Sequence, residues 1–444
     1  MARESFNFKC VGVTRLYAKQ VESSLLYTRP SRNPNVREKE SHKMVTIPKT
    51  HKAVATPAKR APLILLDRET TPPGPGEILI LNEWTASSPL DLHRADGGLL
   101  CNHPEVMGGG AAGTVVAVGP DQDPADADRL NPGDKIFTFA FHRFSERAHQ
   151  DFATVPAYLV SKLPANVTPQ EAATVPTNLI TVFHAVTADL GLELPWPRPA
   201  EGEWVPRARD DAVLVWGAAS SVGVYAVQVL RRWGYRNVLA VASEKHHARL
   251  RAMGARETFS YRDADVVEKI LGAVGERGVP FVLDCIGSVE GTLRPLTRIA
   301  GRGTKVAVML PVIVRDATEE VEPEYEMEVG TVLVGEWADG VELRGVRTHF
   351  YLAMGKADIS VTQNEFFKEK MQREIVPMLL EQGIIKPNKQ KIVEGATMLE
   401  RAQKAIELLR KRDPSGERLV WRVSDLELKL WPTLEKEAWL WWNE

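Results

Sequence analysis

Val213-Leu214-Val215-Trp216-Gly217-Ala218-Ala219-Ser220-Ser221-Val222-Gly223 runs from an apolar segment, through a turn of small residues, into a helical pattern. The apolar segment Ala212–Trp216 has the length and character of a buried strand. Beyond the turn, Val222, Tyr225, Ala226, Val229, Leu230 and Trp233 recur at helical spacing. A turn of this kind suits a phosphate. Its small residues let the backbone come close, and the free N–H groups and dipole of the helix N-terminus attract the anion. Gly217 and Gly223 supply the tight turn and close helix–strand packing, while Ala218, Ser220 and Ser221 leave room between them. Many strand–helix turns carry glycine for packing alone. The strand on one side and the helix on the other favour dinucleotide binding here.

Working outward, the runs Val238–Ala242, Phe281–Cys285 and Lys305–Met309 read as strands, and His246–Met253 as a helix. Strands alternating with helices predict an α/β unit, a parallel sheet covered on both faces. The second strand ends without the acidic residue that holds a ribose 2′-hydroxyl, and Ser243-Glu244-Lys245 follows it. A hydroxyl and an ammonium suit a 2′-phosphate, so the pattern favours NADPH over NADH provided Glu244 faces outward. Ser243 also suits the cap of the next helix, and the two roles can coexist.

Upstream, Thr50 to Leu163 is a succession of short apolar runs broken by Gly and Pro, among them Ile78–Leu81, Thr114–Val118 and Lys135–Phe139, which predicts a β-rich unit. Downstream, the acidic segment Asp316–Tyr325 reads as a solvated insertion. Glu365–Gln382 and Leu399–Arg410 read as amphipathic helices and Leu419–Val423 as a strand. The pairs His246-His247 and His142/His149 read as solvated faces. Residues 1–43 are polar and aperiodic, which fits either a disordered extension or a non-native one with Met44 as the working start. A transit peptide is disfavoured by Glu4, Glu22, Glu38 and Glu40. Trp431, Trp439, Trp441 and Trp442 make the tail a packing or partner-docking segment, and a homodimer is a further possibility.

The 444 residues carry a formal net charge of -2 and are 44% hydrophobic, so no basic field for nucleic acid exists. No apolar run is long enough to span a membrane. Cys10, Cys101 and Cys285 are too few and too scattered for a disulfide framework, which points to a reducing, cytoplasmic setting.

Several motifs recur in an order that resembles the medium-chain dehydrogenase/reductase superfamily, and within it the quinone-oxidoreductase and fungal enoyl-reductase branch. They are Pro75-Gly76-Glu77-Ile78-Leu79-Ile80, Gly113 to Gly119, Pro132-Gly133-Asp134-Lys135-Ile136, Glu171 to Pro176 with Thr181, the Gly217–Gly223 turn, Met253-Gly254-Ala255, and Asp284-Cys285-Ile286-Gly287. The resemblance extends from about Thr50 to Val423, including Arg347-Thr348-His349-Phe350-Tyr351 and Ile392-Val393-Glu394-Gly395. It implies an α/β chain with a GroES-like β-rich substrate domain and a Rossmann doubly wound cofactor domain. The divisions expected are 1–48 extension, 49–180 first part of the substrate domain, 181–346 cofactor domain, 347–423 return to the substrate domain, and 424–444 tail. Carried over residue by residue, Ser220, Ser221, Ser243, Lys245 and Tyr261 would lie by the adenosine phosphates. Val222 would open the helix there. Thr181 and the backbone of Val308, Met309 and Leu310 would lie by the nicotinamide, and Ile286 would also touch the cofactor.

Zinc-dependent members use Cys, His and a third Cys or acidic ligand. At the matching positions this chain has Ser88 and, within Gly108-Gly109-Gly110, Gly109. Cys101, His103 and Glu105, with His93, lack ligand spacing and read as ordinary loop chemistry. Without a Lewis acid, alcohol oxidation is hard, whereas hydride addition to an activated C=C bond or a quinone needs mainly alignment. The expected activity is therefore NADPH-dependent, zinc-independent reduction of an unsaturated carbonyl or quinone. The alternatives are an alcohol dehydrogenase-like enzyme or a catalytically silent NADPH-binding interaction protein. His93 and the remote Tyr351 are the candidate proton donors, with a structural or surface role the plainer reading of His93.

Overall fold

The computed structural model describes residues 47–120, 129–200, 202–318, 320–348 and 365–426, which belong to one compact unit. The run around Val213–Trp216 lies near the middle of a six-stranded sheet. In spatial order the strands are Glu257–Phe259, Val238–Val241, Val213–Trp216, Phe281–Asp284, Lys305–Met309 and Glu342–Val346. All are parallel. Strand order reverses between Val213–Trp216 and Phe281–Asp284, the switch point where such sheets bind ligands at their carboxyl ends.

The alternation of side chains along these strands divides the core. Val213, Val215, Val238 and Ala240 face one apolar cluster, and Leu214, Trp216, Leu239 and Val241 face the other. Every one of them is buried, which is why the strands read as continuous apolar runs rather than as alternating ones. Each Val and Leu among them contributes about 1.5–3 kcal/mol by leaving water. The first cluster continues into Ile78, Ile80, Phe137 and Phe139 of the β-rich part, so the two sheets share one core.

That β-rich part is a seven-stranded sheet whose main path is Gln390–Ile392, Arg418–Arg422, Glu77–Ser87, Gly110–Val118, Lys135–Phe139 and Val160–Lys162, with Phe152–Pro156 also pairing on Glu77–Ser87. Two of its strands come from beyond residue 380, so the chain leaves the sheet, builds the parallel one and returns. A bidentate ion pair between Arg410 and Asp96, with N–O distances of 2.6–3.1 Å, ties the returning helix Met398–Arg410 to the helix Pro89–Gly97.

Two expectations are corrected. Glu365–Gln382 is not one regular helix. Its middle, Met371–Ile375, is π-helical between Glu365–Lys370 and Val376–Glu381. Pro377 has no N–H to give the carbonyl four residues back, so the regular ladder is interrupted there. His149 is buried rather than solvated, its ring edge-on to Trp421. Asp316–Tyr325 is exposed over most of its described residues, as a solvated insertion should be, yet it is anchored. It joins the strands Val312–Arg315 and Glu324–Glu326 of a hairpin whose tip is tied to the β-rich part: Lys59 to Glu322 (3.4 Å), Arg60 to the Thr318 carbonyl (2.5 Å) and Arg412 to Asp316 (2.7 Å).

The hairpin rests on the helix Pro89–Gly97 because Gly97 has no side chain. A Cβ there would run into the Tyr325 ring and come within 3.2 Å of Pro323. Gly97→Val is expected to cost about 1–3 kcal/mol through this overpacking. Urea unfolding would measure it, and a stability equal to that of the unsubstituted chain would mean that the hairpin does not rest there. Among the described residues no helix is long and apolar enough to cross a membrane.

Candidate active site

The small-residue turn between strand and helix forms where the sequence places it. Gly217 has φ +73°, and a Cβ on it would stand 2.6 Å from Ile286 Cγ1. Gly223 is the first-turn residue that lies on the strand–turn backbone, where a Cβ would meet the Gly217 oxygen at 2.5 Å and Ala218 Cα at 2.6 Å. Ser220 caps the helix Ser221–Arg232, its Oγ accepting from the Gly223 N–H at 3.1 Å. That contact commits one lone pair of Ser220 and leaves the N–H groups of Ser221 and Val222 at the open helix end. Both residues are half-buried, whereas Ala218 is fully buried, with its N–H on the Val241 carbonyl. Ala218 therefore shapes the turn by its small size.

At the ends of the next two strands, Ser243 Oγ and the Tyr261 hydroxyl lie 3.1 Å apart on the surface. Lys245 and Glu244 are both exposed beside them. Sequence reasoning missed Arg262, whose guanidinium lies 5.4 Å from the centre of the Tyr261 ring. Its only signal was adjacency to Tyr261. Two hydroxyls and two cations in one patch can bind a phosphate monoester.

At the opposite end, buried Asp284 accepts from the Ile286 N–H (3.0 Å) and from the Thr292 hydroxyl (2.5 Å). Burial pushes its pKa up to about 6, against those hydrogen bonds. The carboxyl thereby holds the loop that lays Ile286, 41% exposed, across Gly217. Val308 is fully buried and Met309 and Leu310 half-buried. Thr181 donates to the Thr177 carbonyl (2.7 Å) and accepts from Thr348 (3.1 Å), which joins the helix Pro176–His184 to the returning chain.

One carboxylate joins the Ser88 segment to Gly108, the neighbour of Gly109. Asp91 accepts from the Ser88 N–H at 2.8 Å with one oxygen and from the Gly108 N–H at 3.3 Å with the other. The Cα of Gly109 faces Phe141 and the Thr177 hydroxyl, each 3.8 Å from where its Cβ would stand. Neither Ser88 nor Gly109, nor Thr177 beside Gly109, is a strong zinc ligand. Cys101, His103 and Glu105 are engaged elsewhere: Cys101 Sγ with the Leu99 carbonyl, His103 Nδ1 with the Thr56 carbonyl, Glu105 with Arg147. Among the described residues, no three His, Cys, Asp or Glu side chains form a metal-binding group.

His93 is half-buried rather than a surface residue. Its Nδ1 lies 2.8 Å from the Tyr325 hydroxyl, with the two rings edge to face at 4.8 Å. Burial lowers the imidazole pKa to about 4 and raises that of the Tyr325 phenol to about 12. Tyr325 escaped sequence reasoning because 232 residues separate it from His93. The hairpin brings it to the carboxyl edge of the parallel sheet, where its pairing partner Ile313 bridges to Ser288. Tyr351 lies outside the described residues.

Comparison with known proteins agrees with this geometry. Residues 74–179 match the alcohol dehydrogenase GroES-like domain and residues 221–311 the zinc-binding dehydrogenase family. The chain is 35% identical to trans-enoyl reductase tazE of Aspergillus terreus over 55% of its own length and 79% of that protein. It is 32% identical to trans-enoyl reductase tndF of Aspergillus flavipes, over 55% of its own length and 69% of that protein. Among solved structures, the CurK enoyl reductase superposes with a TM-score of 0.61 at 16% identity, over 84% of this chain and 99% of that one. The chain belongs to the medium-chain dehydrogenase/reductase superfamily of oxidoreductases, whose members bind a nicotinamide cofactor.

Proposed function

We propose that the protein is an NADPH-dependent reductase of a polarised C=C bond, an enone or enoyl compound or a quinone, working without zinc. The observation that carries this reading is that Ser88 and Gly109 stand at the positions matching zinc ligands, while the Gly217–Gly223 turn opens a helix whose Ser221 and Val222 N–H groups are left for an anion. The trans-enoyl reductases among its relatives favour the same chemistry.

Gly217, Ala218, Ser221, Val222 and Gly223 would cradle the pyrophosphate, and Ser243, Lys245, Tyr261 and Arg262 the 2′-phosphate. The cofactor supplies a hydride to the β-carbon. The α-carbon then needs a proton, and Tyr325 is assigned to deliver it from the cleft rim. A phenol with its pKa raised to about 12 stays protonated at neutral pH, and His93, lowered to about 4, stays uncharged. In the tautomer carrying hydrogen on Nδ1, His93 donates to the Tyr325 oxygen. That leaves the phenolic hydrogen free and stabilises the phenolate that remains until solvent reprotonates it.

NADPH consumption with a panel of enones, enoyl thioesters and quinones tests the reading, with metal analysis of the active enzyme. Turnover of an activated double bond or quinone by metal-free protein is expected. Stoichiometric zinc with alcohol oxidation would replace the reading, and tight NADPH binding without any turnover would make the chain a silent binder. Lys245→Ala and Arg262→Ala are each expected to weaken NADPH by about 10-fold, the value of one charge-assisted contact, and to leave NADH unchanged. Equal losses for both nucleotides, measured by fluorescence titration, would remove these residues from the 2′-phosphate.

A further inference from the structure

Behind the Gly108–Gly109 turn the fold buries a concentration of nitrogen donors that nothing in the reaction uses. Arg147 is 6% exposed. Its Nη2 donates to Glu105 at 2.9 Å, while its Nε and Nη1 have no partner. Arg94, 5% exposed, has an unpartnered Nε. Neither ring nitrogen of His149, 1% exposed, has a partner, so the one that carries hydrogen in the neutral ring is a further orphaned donor. On the far side of Asp91, Arg418 donates to the Ala86 carbonyl at 2.8 Å and leaves its own Nε unpartnered. Buried donors without acceptors are costly, and so many in one place require an electron-rich occupant.

We propose that this cluster is a binding site for one small monovalent anion, a halide or a single carboxylate group. Charge favours an anion over a neutral acceptor. Arg147 lies beside the like charge of Arg94, and Glu105 takes only one of its N–H groups, while neighbouring Glu146 is held by Arg143 at 2.6 Å. Asp91 spends its oxygens on Ser88 and Gly108, so it satisfies none of the orphaned donors. The guanidinium of Arg147 lies 5.9 Å from the centre of the Phe141 ring, and Phe141 Cδ1 stands 3.8 Å from where a Gly109 Cβ would be. The anion would therefore sit just behind the cleft floor and hold Gly108 and Phe141 in place. This site does not depend on the reaction assigned to the cleft.

Crystals of the full chain grown in bromide are expected to show an anomalous peak within hydrogen-bonding reach of Arg147 Nε and Nη1. At constant ionic strength, replacing gluconate, which is too bulky to enter, by chloride or acetate is expected to raise Tm by about 2–4 °C. A rise with chloride alone assigns a halide, and a rise with acetate a carboxylate. The double substitution Glu105→Gln with Arg147→Gln is expected to abolish the difference while leaving no buried charge unpaired at that contact. The bromide measurement needs no variant. Ordered water in place of bromide, with equal Tm in all three salts, would overturn the proposal.

Discussion

Gly223→Val is expected to leave a folded chain that binds NADPH more weakly by about 1,000-fold, a loss equal to two or three charge-assisted hydrogen bonds. The obstacle is backbone. A first side-chain carbon at Gly223 would stand 2.5 Å from the Gly217 oxygen and 2.6 Å from Ala218 Cα, and neither can rotate away. The turn has to open from the helix, which spreads the N–H groups of Ser221 and Val222 that make the anion site. Overpacking of this size costs about 1–3 kcal/mol, less than the stability of a typical domain, so folding should survive. Calorimetric titration with NADPH would measure the loss, with circular dichroism as the control for folding. Binding within about 10-fold of the unsubstituted chain would show that the turn does not carry the pyrophosphate.

Tyr325→Phe is expected to lower kcat by about 100-fold or more while leaving KM and NADPH affinity unchanged, the usual size of a lost general acid. The substitution removes the hydroxyl and keeps the ring that packs against His93 and Gly97. A purely structural role would therefore show as a change in Tm and leave kcat largely intact. In the unsubstituted enzyme the proton step should be insensitive to pH across the neutral range. Burial moves His93 down to about 4 and Tyr325 up to about 12, so neither changes charge there. An unaltered kcat in the phenylalanine variant would assign the proton to water.

The hairpin that carries Tyr325 also marks a limit of the sequence. Asp316 to Glu324 is acidic and short of apolar residues, the pattern of a solvated loop. Its partners Lys59, Arg60 and Arg412 lie in two distant segments, and nothing in local periodicity connects them. His149 was misread for a similar reason. Its burial arises from the packing of Trp421 and the approach of Gly108, both remote in sequence. Arg262 became a candidate only when two strand ends brought Tyr261 to Ser243.

By itself, the sequence determined the parts whose physics is local. The apolar strand, the small-residue turn and the helix after it form as read because each depends on residues within a few positions of one another. The absence of Cys and His at Ser88 and Gly109 was equally plain, since a ligand type is a property of the residue itself. The tertiary structure alone decided what those residues meet. It joined Ser88 to Gly108 through Asp91, set Tyr325 against His93, and buried Arg94, Arg147 and His149 together. Such pairings follow from which distant surfaces the shared core draws together, and burial then sets the charge state of the groups trapped between them.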